Sequence, residues 1–151
     1  MRKVLRVPLF AVMSFVVILL SALPSYAQSP NYDVGPVWRV TYYHIKPGQG
    51  EAYWKDIREH GKPVFDALKK EGLISDYKFW LNEATDHPGD WDVAIGVLHP
   101  NYAALDSLDA KGATIVSKHY GSRDAMLDAG KKRQDYREVV MSKLAREIMP
   151  K

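Results

Sequence analysis

Val37-Trp38-Arg39-Val40-Thr41-Tyr42-Tyr43-His44-Ile45, then Lys46-Pro47-Gly48-Gln49-Gly50, then the apolar series Tyr53, Trp54, Ile57, Val64, Phe65 and Leu68 up to Gly72-Leu73, is the stretch from which the fold is read. β-Branched and aromatic side chains pack well on a pleated surface, so residues 37–45 are expected to form a strand. Proline offers no amide to a ladder and two glycines loosen the backbone, so the strand should stop within residues 46–50. Beyond it, apolar residues spaced to share one helical face alternate with Lys55, Glu59, Lys62, Asp66 and Lys69 on the other. Pro63, lacking an amide, should bend that helix. Gly72 should end it in the left-handed conformation, with Leu73 folding back as an apolar contact.

Working outward, Ile74–Asn82 and Trp91–His99 read as two strands joined by the turn-rich Thr85-Asp86-His87-Pro88-Gly89-Asp90, an antiparallel hairpin. Tyr77, Phe79 and Leu81 alternate with Asp76, Lys78 and Trp80. On the second strand Trp91, Val93, Ile95, Val97 and His99 alternate with Asp92, Ala94, Gly96 and Leu98. Few of these positions suit water, so both faces of the sheet are expected to be at least partly covered. Asn101 is placed to cap a helical stretch that Gly112 interrupts and Gly121 closes, and Ser122 to cap another. In the closing run 139–149, Val140, Leu144 and Ile148 suit either a helical stripe or one face of a strand, and periodicity leaves the two open.

Towards the N-terminus, Arg2, Lys3 and Arg6 precede an apolar run from Leu9 to Leu20 broken only by Ser14, then a short polar stretch with Ser25-Tyr26-Ala27. That is the layout of a cleavable secretory signal, residues 1–27, with small side chains one and three positions before the cut. The apolar run is shorter than the roughly 20 residues a helix needs to cross a bilayer. Residues 28–36, with two prolines and a glycine, are expected as a flexible lead-in, and residues 37–151 as one domain. Without residues 1–27 the formal charge falls from +3 to zero, which removes the case for nucleic acid or an anionic membrane as partner. The chain has no cysteine, so an exported domain would be held by core packing or by a second copy of itself, without disulfides. Cysteine nucleophiles, thiolate haem ligation, iron–sulfur clusters and cysteine-based zinc sites are excluded. Gly-x-Ser-x-Gly, phosphate-loop and dinucleotide fingerprints are missing, so hydrolase, kinase and dehydrogenase readings have no support.

Strand, helix, hairpin, helical region and closing segment make a β-α-β-β-α-β order: an α+β, ferredoxin-like arrangement with an antiparallel sheet. His44-Ile45-Lys46-Pro47-Gly48-Gln49-Gly50, the helix start Tyr53-Trp54 and the helix end Leu68-Lys69-Lys70-Glu71-Gly72-Leu73-Ile74 resemble the dimeric α/β-barrel superfamily, which includes antibiotic-biosynthesis-type monooxygenases and haem-degrading monooxygenases. The resemblance covers Val37 to Ile148 and is one of fold landmarks. It implies that the closing segment is a fourth strand, that two copies set their sheets face to face, and that a ligand sits between sheet and helices. Haem-degrading relatives use an asparagine, a tryptophan and a histidine around that space; no asparagine stands on the first strand here.

Of the five histidines, at positions 44, 60, 87, 99 and 119, no two have the short spacing that puts a pair of ligands on one helix or strand face, so no metal site is expected. His60 and His87 receive no role. His44 ends the first strand and His119 a helical stretch; each is a candidate general base or haem ligand, or else a histidine satisfied by a single hydrogen bond at the core's edge. Tyr42, Trp80 and Trp91 are the expected pocket walls, since such rings suit a flat or greasy molecule as readily as a core. Arg39, among apolar strand residues, would pair with a carboxylate across a dimer or bind an acidic ligand. Together these readings give an exported homodimer, periplasmic or extracellular, that binds a small apolar or aromatic molecule. Two alternatives stay open: a monooxygenase, cofactor-free or using haem held by His119, and a structural protein whose interior is filled by its own side chains.

Overall fold

The first strand begins earlier than its composition suggests. In the computed structural model, which describes residues 31–84 and 86–151, β1 spans Tyr32–Ile45, so five residues expected in the lead-in belong to the sheet. The expected signal, and the lead-in as far as residue 30, lie outside the described residues. Gly35-Pro36 looks like a strand breaker but sits where the pairing of β1 with the last strand shifts register, between Val34 and Val37. A bulge leaves a residue unpaired, so it tolerates a proline with no amide to give. A Cβ on Gly35 would stand 3.0 Å from the Cβ of Glu147, so this crossing needs glycine.

The helical segment after β1 is continuous but not uniform. Helix α1 (Gly50–Asp56) passes into a π turn (Ile57–Gly61) and then α2 (Lys62–Lys70). The amide of Lys62 bonds the carbonyl of Ile57, five residues back, so the ladder widens just ahead of Pro63, which has no amide for the usual bond. The expected disturbance at Pro63 thus takes the form of a π turn. Gly72 has φ +69°, and the Leu73 amide donates to the Leu68 carbonyl at 3.0 Å, closing the helix as its sequence suggests.

Strands β2 (Asp76–Leu81) and β3 (Val93–His99) form the expected hairpin. Its loop is held by Asn82, whose amide donates to Asp90 Oδ2 at 3.0 Å and to the Trp91 carbonyl at 2.8 Å. Next come α3 (Ala103–Ser107), a second π turn (Leu108–Gly112), α4 (Ala113–Tyr120) and α5 (Arg123–Tyr136). Asn101 Oδ1 accepts from the Ala104 amide at 3.1 Å, and Ser122 Oγ from that of Ala125 at 3.1 Å, so both expected caps form. Gly112 does not interrupt the helical path; it is buried, with room for a Cβ only 3.0 Å from Leu108 Cδ1.

The closing segment is a strand, β4 (Arg137–Pro150), antiparallel to β1 along its whole length. Sheet order is β2-β3-β1-β4, every neighbour antiparallel, which is the ferredoxin-like topology. The core lies on one side of this sheet: buried Tyr53 and Ile57 pack against Val93 and Ile95, ringed by Tyr43, Ile45, Phe65, Phe79 and Tyr136. No helix among the described residues is long and apolar enough to cross a membrane.

Candidate ligand-binding site

Strand geometry divides the side chains of β1 between two environments, because successive residues point to opposite faces. Arg39, Thr41 and Tyr43 line a space shared with Phe65 and Leu68 of α2, whereas Trp38, Val40 and Tyr42 line a depression to which no helix contributes. The paired strands follow the same rule: Val97 lies opposite Arg39 and Ile95 opposite Thr41, while Ala94 lies opposite Tyr42.

The space between sheet and helices has two lobes that share Tyr43, Phe65 and Ile95 as walls. One lobe, of about 150 Å³, is bounded by Ile57, Val64 and Val116 and edged by polar side chains of α1, the π turn, α4, α5 and β4. There Arg133 donates to both oxygens of Asp56, from Nε at 3.0 Å and Nη2 at 3.3 Å, and also to the Tyr120 hydroxyl. Burial works against the Arg133 charge, but these partners outweigh it and hold its pKa above the ordinary arginine value. The guanidinium of Arg137 lies 4.3 Å from the Tyr43 ring centre. Tyr136, nearby, has its phenol pushed up to about 12, by burial first and then by the Asp56 charge. Tyr53, fully buried, is raised further still by desolvation. Neither phenol ionises at neutral pH.

His60 lines this lobe too, and its Nδ1 stands 3.0 Å from Nε2 of His119, with the Tyr120 ring 4.9 Å from its own. Two imidazoles at that distance share one proton, one donating and the other accepting, and so join the π turn of the first helical segment to α4. They could pass a proton between the lobe and solvent, since His119 is exposed.

The second lobe, of about 210 Å³, is walled by Val97, Leu68 and Leu108 and holds Arg39, Thr41 and His99. His99 is 0 % exposed, and neither ring nitrogen finds a partner among the described residues. Leaving such a group unsatisfied costs about 1–3 kcal/mol. Burial, and then the Arg39 charge, lowers its pKa, so the ring is neutral at pH 7.

The opposite face of the sheet carries a depression of about 470 Å³ walled by Trp38, Val40, Tyr42, Trp80, Trp91 and Ala94, with Leu81 and Ala145 at its margin. Trp80 meets Trp38 edge-on at 6.0 Å, and Tyr42 meets Trp91 edge-on at 5.3 Å. The Trp38 indole donates to Glu147 Oε1 at 2.6 Å.

The six residues singled out from sequence therefore do not form one constellation. Arg39 lines the sheet-to-helix space, while Tyr42, Trp80 and Trp91 wall the helix-free face, a full sheet thickness away. Strand parity forces this for Tyr42 and Trp80, both opposite Ala94, whereas Trp91 precedes β3 and reaches the same face from the hairpin loop, against Tyr42. His44 Nδ1 stands 3.0 Å from Asp92 Oδ2, which also accepts from the Ile45 amide at 2.6 Å, so His44 sits in a strand-end contact outside both lobes. His119 is engaged with His60. Holding a haem through its Nε2 would require breaking that contact. Among the described residues no group of three or more His, Asp or Glu side chains is arranged to hold a metal ion. Sequence reasoning passed over His60, His99, Arg133 and Arg137. For His99 a signal existed, because it continues the apolar stripe Val93, Ile95, Val97 where a fourth aliphatic residue would be expected. His60 meets Arg133 and Arg137, more than 70 residues away, only where the last helix and the start of β4 pack beside the π turn.

No protein-family model matches the chain, and no curated protein matches it in sequence. Among solved structures it is similar to HapK from Hahella chejuensis, at 9% identity and a TM-score of 0.49 over 74% of this chain and 91% of that one. It is also similar to a dimeric protein of unknown function and ferredoxin-like fold from Bacteroides fragilis, at 16% identity and a TM-score of 0.40 over 78% of this chain and 97% of that one. The assignment of the fold to the ferredoxin-like class rests on strand order and pairing.

Proposed function

We propose that the mature chain is an exported homodimer in which each copy binds a small apolar or aromatic molecule between its sheet and helices. The observation that carries this reading is the two-lobed interior, with Tyr43, Phe65 and Ile95 as walls and one fully buried polar side chain in its lining, His99, that has no partner among the described residues. Ligand sites are mostly apolar concavities with a small number of oriented polar groups. Export is inferred from residues 1–27, whose basic start, apolar run and small residues before the cut suit a signal peptidase substrate.

The homodimer is inferred from the helix-free face. Trp80 remains 40 % exposed there and Met141 39 %, beside half-buried Trp38, Val40 and Tyr42. Strands of 14, 6, 7 and 14 residues, at about 3.3 Å per residue and about 4.8 Å between strands, make a face of roughly 650 Å². A stable interface takes about 800 Å² from each partner, so two such faces with their projecting rings are of the right size. A second copy brings the same apolar surface to the contact.

Native mass spectrometry of protein purified from the export compartment of its host, with an absorption spectrum, tests the whole reading. The expected species is a dimer of chains starting at Gln28, carrying organic mass that leaves on denaturation. A ligand-free monomer would sink the reading, and a Soret band would replace it with a haem protein.

A further inference from the structure

Resting on the interior as a binding site, we propose that the ligand carries a carboxylate, received by Arg39 and His99 in the lobe between β3 and the Leu68–Leu108 wall. Buried polar groups are almost always paired, so a fully enclosed imidazole with two idle nitrogens calls for something that enters the lobe beside it. Val37 lies opposite His99 and Arg39 opposite Val97, which sets Arg39 and His99 diagonally across adjacent strands on the helix-facing side. Thr41, two residues along, lines the same wall, its hydroxyl 3.2 Å from Ser142 Oγ.

The charge of the lobe selects the ligand's sign. Among the described lining residues the ionisable groups are Arg39 and Tyr43 of β1 and His99 of β3; α2 and the second π turn contribute Phe65, Leu68 and Leu108, none of which ionises. The lobe is therefore electropositive with no carboxylate in its wall. A guanidinium fork matches two coplanar oxygens, and a carboxylate supplies them with a single charge, less costly to enclose than the double charge of a phosphate monoester. Its arrival also reverses the electrostatics at His99. Arg39 repels a proton on the empty ring, whereas an anion lying between the two attracts one, so His99 takes up a proton as the acid binds. The rest of the ligand lies against Tyr43, Phe65 and Ile95, which open on the neighbouring lobe.

The purified protein is titrated with benzoate, phenylacetate and octanoate, each beside its neutral counterpart: benzyl alcohol, 2-phenylethanol and octanol. The His99 ring is followed by ¹H–¹⁵N NMR and assigned by its loss in His99→Gln. At least one acid should bind about tenfold or more tightly than its alcohol, as a charge-assisted hydrogen bond warrants, and drive the His99 nitrogens towards imidazolium. In Arg39→Met that preference should vanish, acid and alcohol then binding with similar affinity. If Arg39→Met does not fold, Arg39→Lys, which keeps charge without the fork, should reduce the preference without abolishing it. Alcohols that perturb His99 as strongly as the acids would overturn the carboxylate and leave the binding-protein reading intact. An acid indifferent to both Arg39 variants would overturn it equally. A His99 ring unmoved by all six compounds would overturn both.

Discussion

Burial holds His99 below the ordinary histidine pKa and the Arg39 charge lowers it further, which ties stability to pH through one side chain. The unfolded chain takes up this proton near the unperturbed value of 6.5, before the folded one does. The stabilisation is therefore complete above pH 6.5 and is lost as pH falls through and below it towards the depressed folded value. Urea unfolding at intervals from pH 7.5 to 5 should show the wild type losing stability more steeply than His99→Gln, which cannot titrate; parallel curves would mean that His99 is hydrated or paired. At this scale the sequence was legible where a residue broke a local pattern. Arg39 stands out among apolar neighbours and does line the interior, and His99 ends an apolar stripe. His60 and His119 were not legible as a pair. Nothing in either neighbourhood announces a partner 59 residues away, and the contact exists only because α4 packs beside the first helical segment.

Elements were readable wherever their ends are set by local chemistry. Gly72 and Gly121 take the left-handed conformation that other side chains resist, and Asn101 and Ser122 supply oxygens to helix amides, all within four residues of sequence. β4 was ambiguous because its burial pattern has no period: most of it is exposed, and what makes it a strand is the ladder with β1. The early start of β1 was hidden for the same reason, since Gly35-Pro36 breaks an isolated strand but fits a bulge against Glu147. Gly96 shows a residue shaping an element through the space it leaves. A Cβ there would stand 2.5 Å from Trp80 Cζ3 and 3.1 Å from Trp38 Cε3, so the Trp80 ring lies directly over the β3 backbone. Gly96→Ala should drive that ring off the strand, with a red shift of tryptophan emission and a loss of about 1 kcal/mol in urea unfolding, at the low end for overpacking because Trp80 is part-exposed and able to move. An unchanged emission spectrum would mean that the ring does not rest on Gly96.

For the molecule as a whole, the unresolved balance is between a sheet covered by helices on one side and a second side rich in aromatic rings. With no cysteine in the chain, no disulfide can compensate for leaving that side in water. Trp80 is the residue through which to test where it goes. At 40 % exposure it is only part-buried in the folded monomer, where it lies over Gly96 towards Trp38, so a charge there penalises association more than folding. In a symmetric pair the two Trp80→Glu carboxylates would both lose water at the contact, with Lys78, two residues along the same face, as the nearest cation. The wild type should sediment as a dimer and, because dissociation accompanies unfolding, its thermal midpoint should rise with protein concentration. Trp80→Glu should sediment as a monomer whose midpoint no longer depends on concentration but whose far-ultraviolet circular dichroism is unchanged. If the wild type is monomeric at about 100 μM, a concentration at which an interface of ordinary size would be populated, the helix-free face is simply wet and the homodimer is wrong. If instead Trp80→Glu stays dimeric, two copies meet elsewhere, and the exposed residues of β4, including Val139, Leu144 and Ile148, become the surface to alter next.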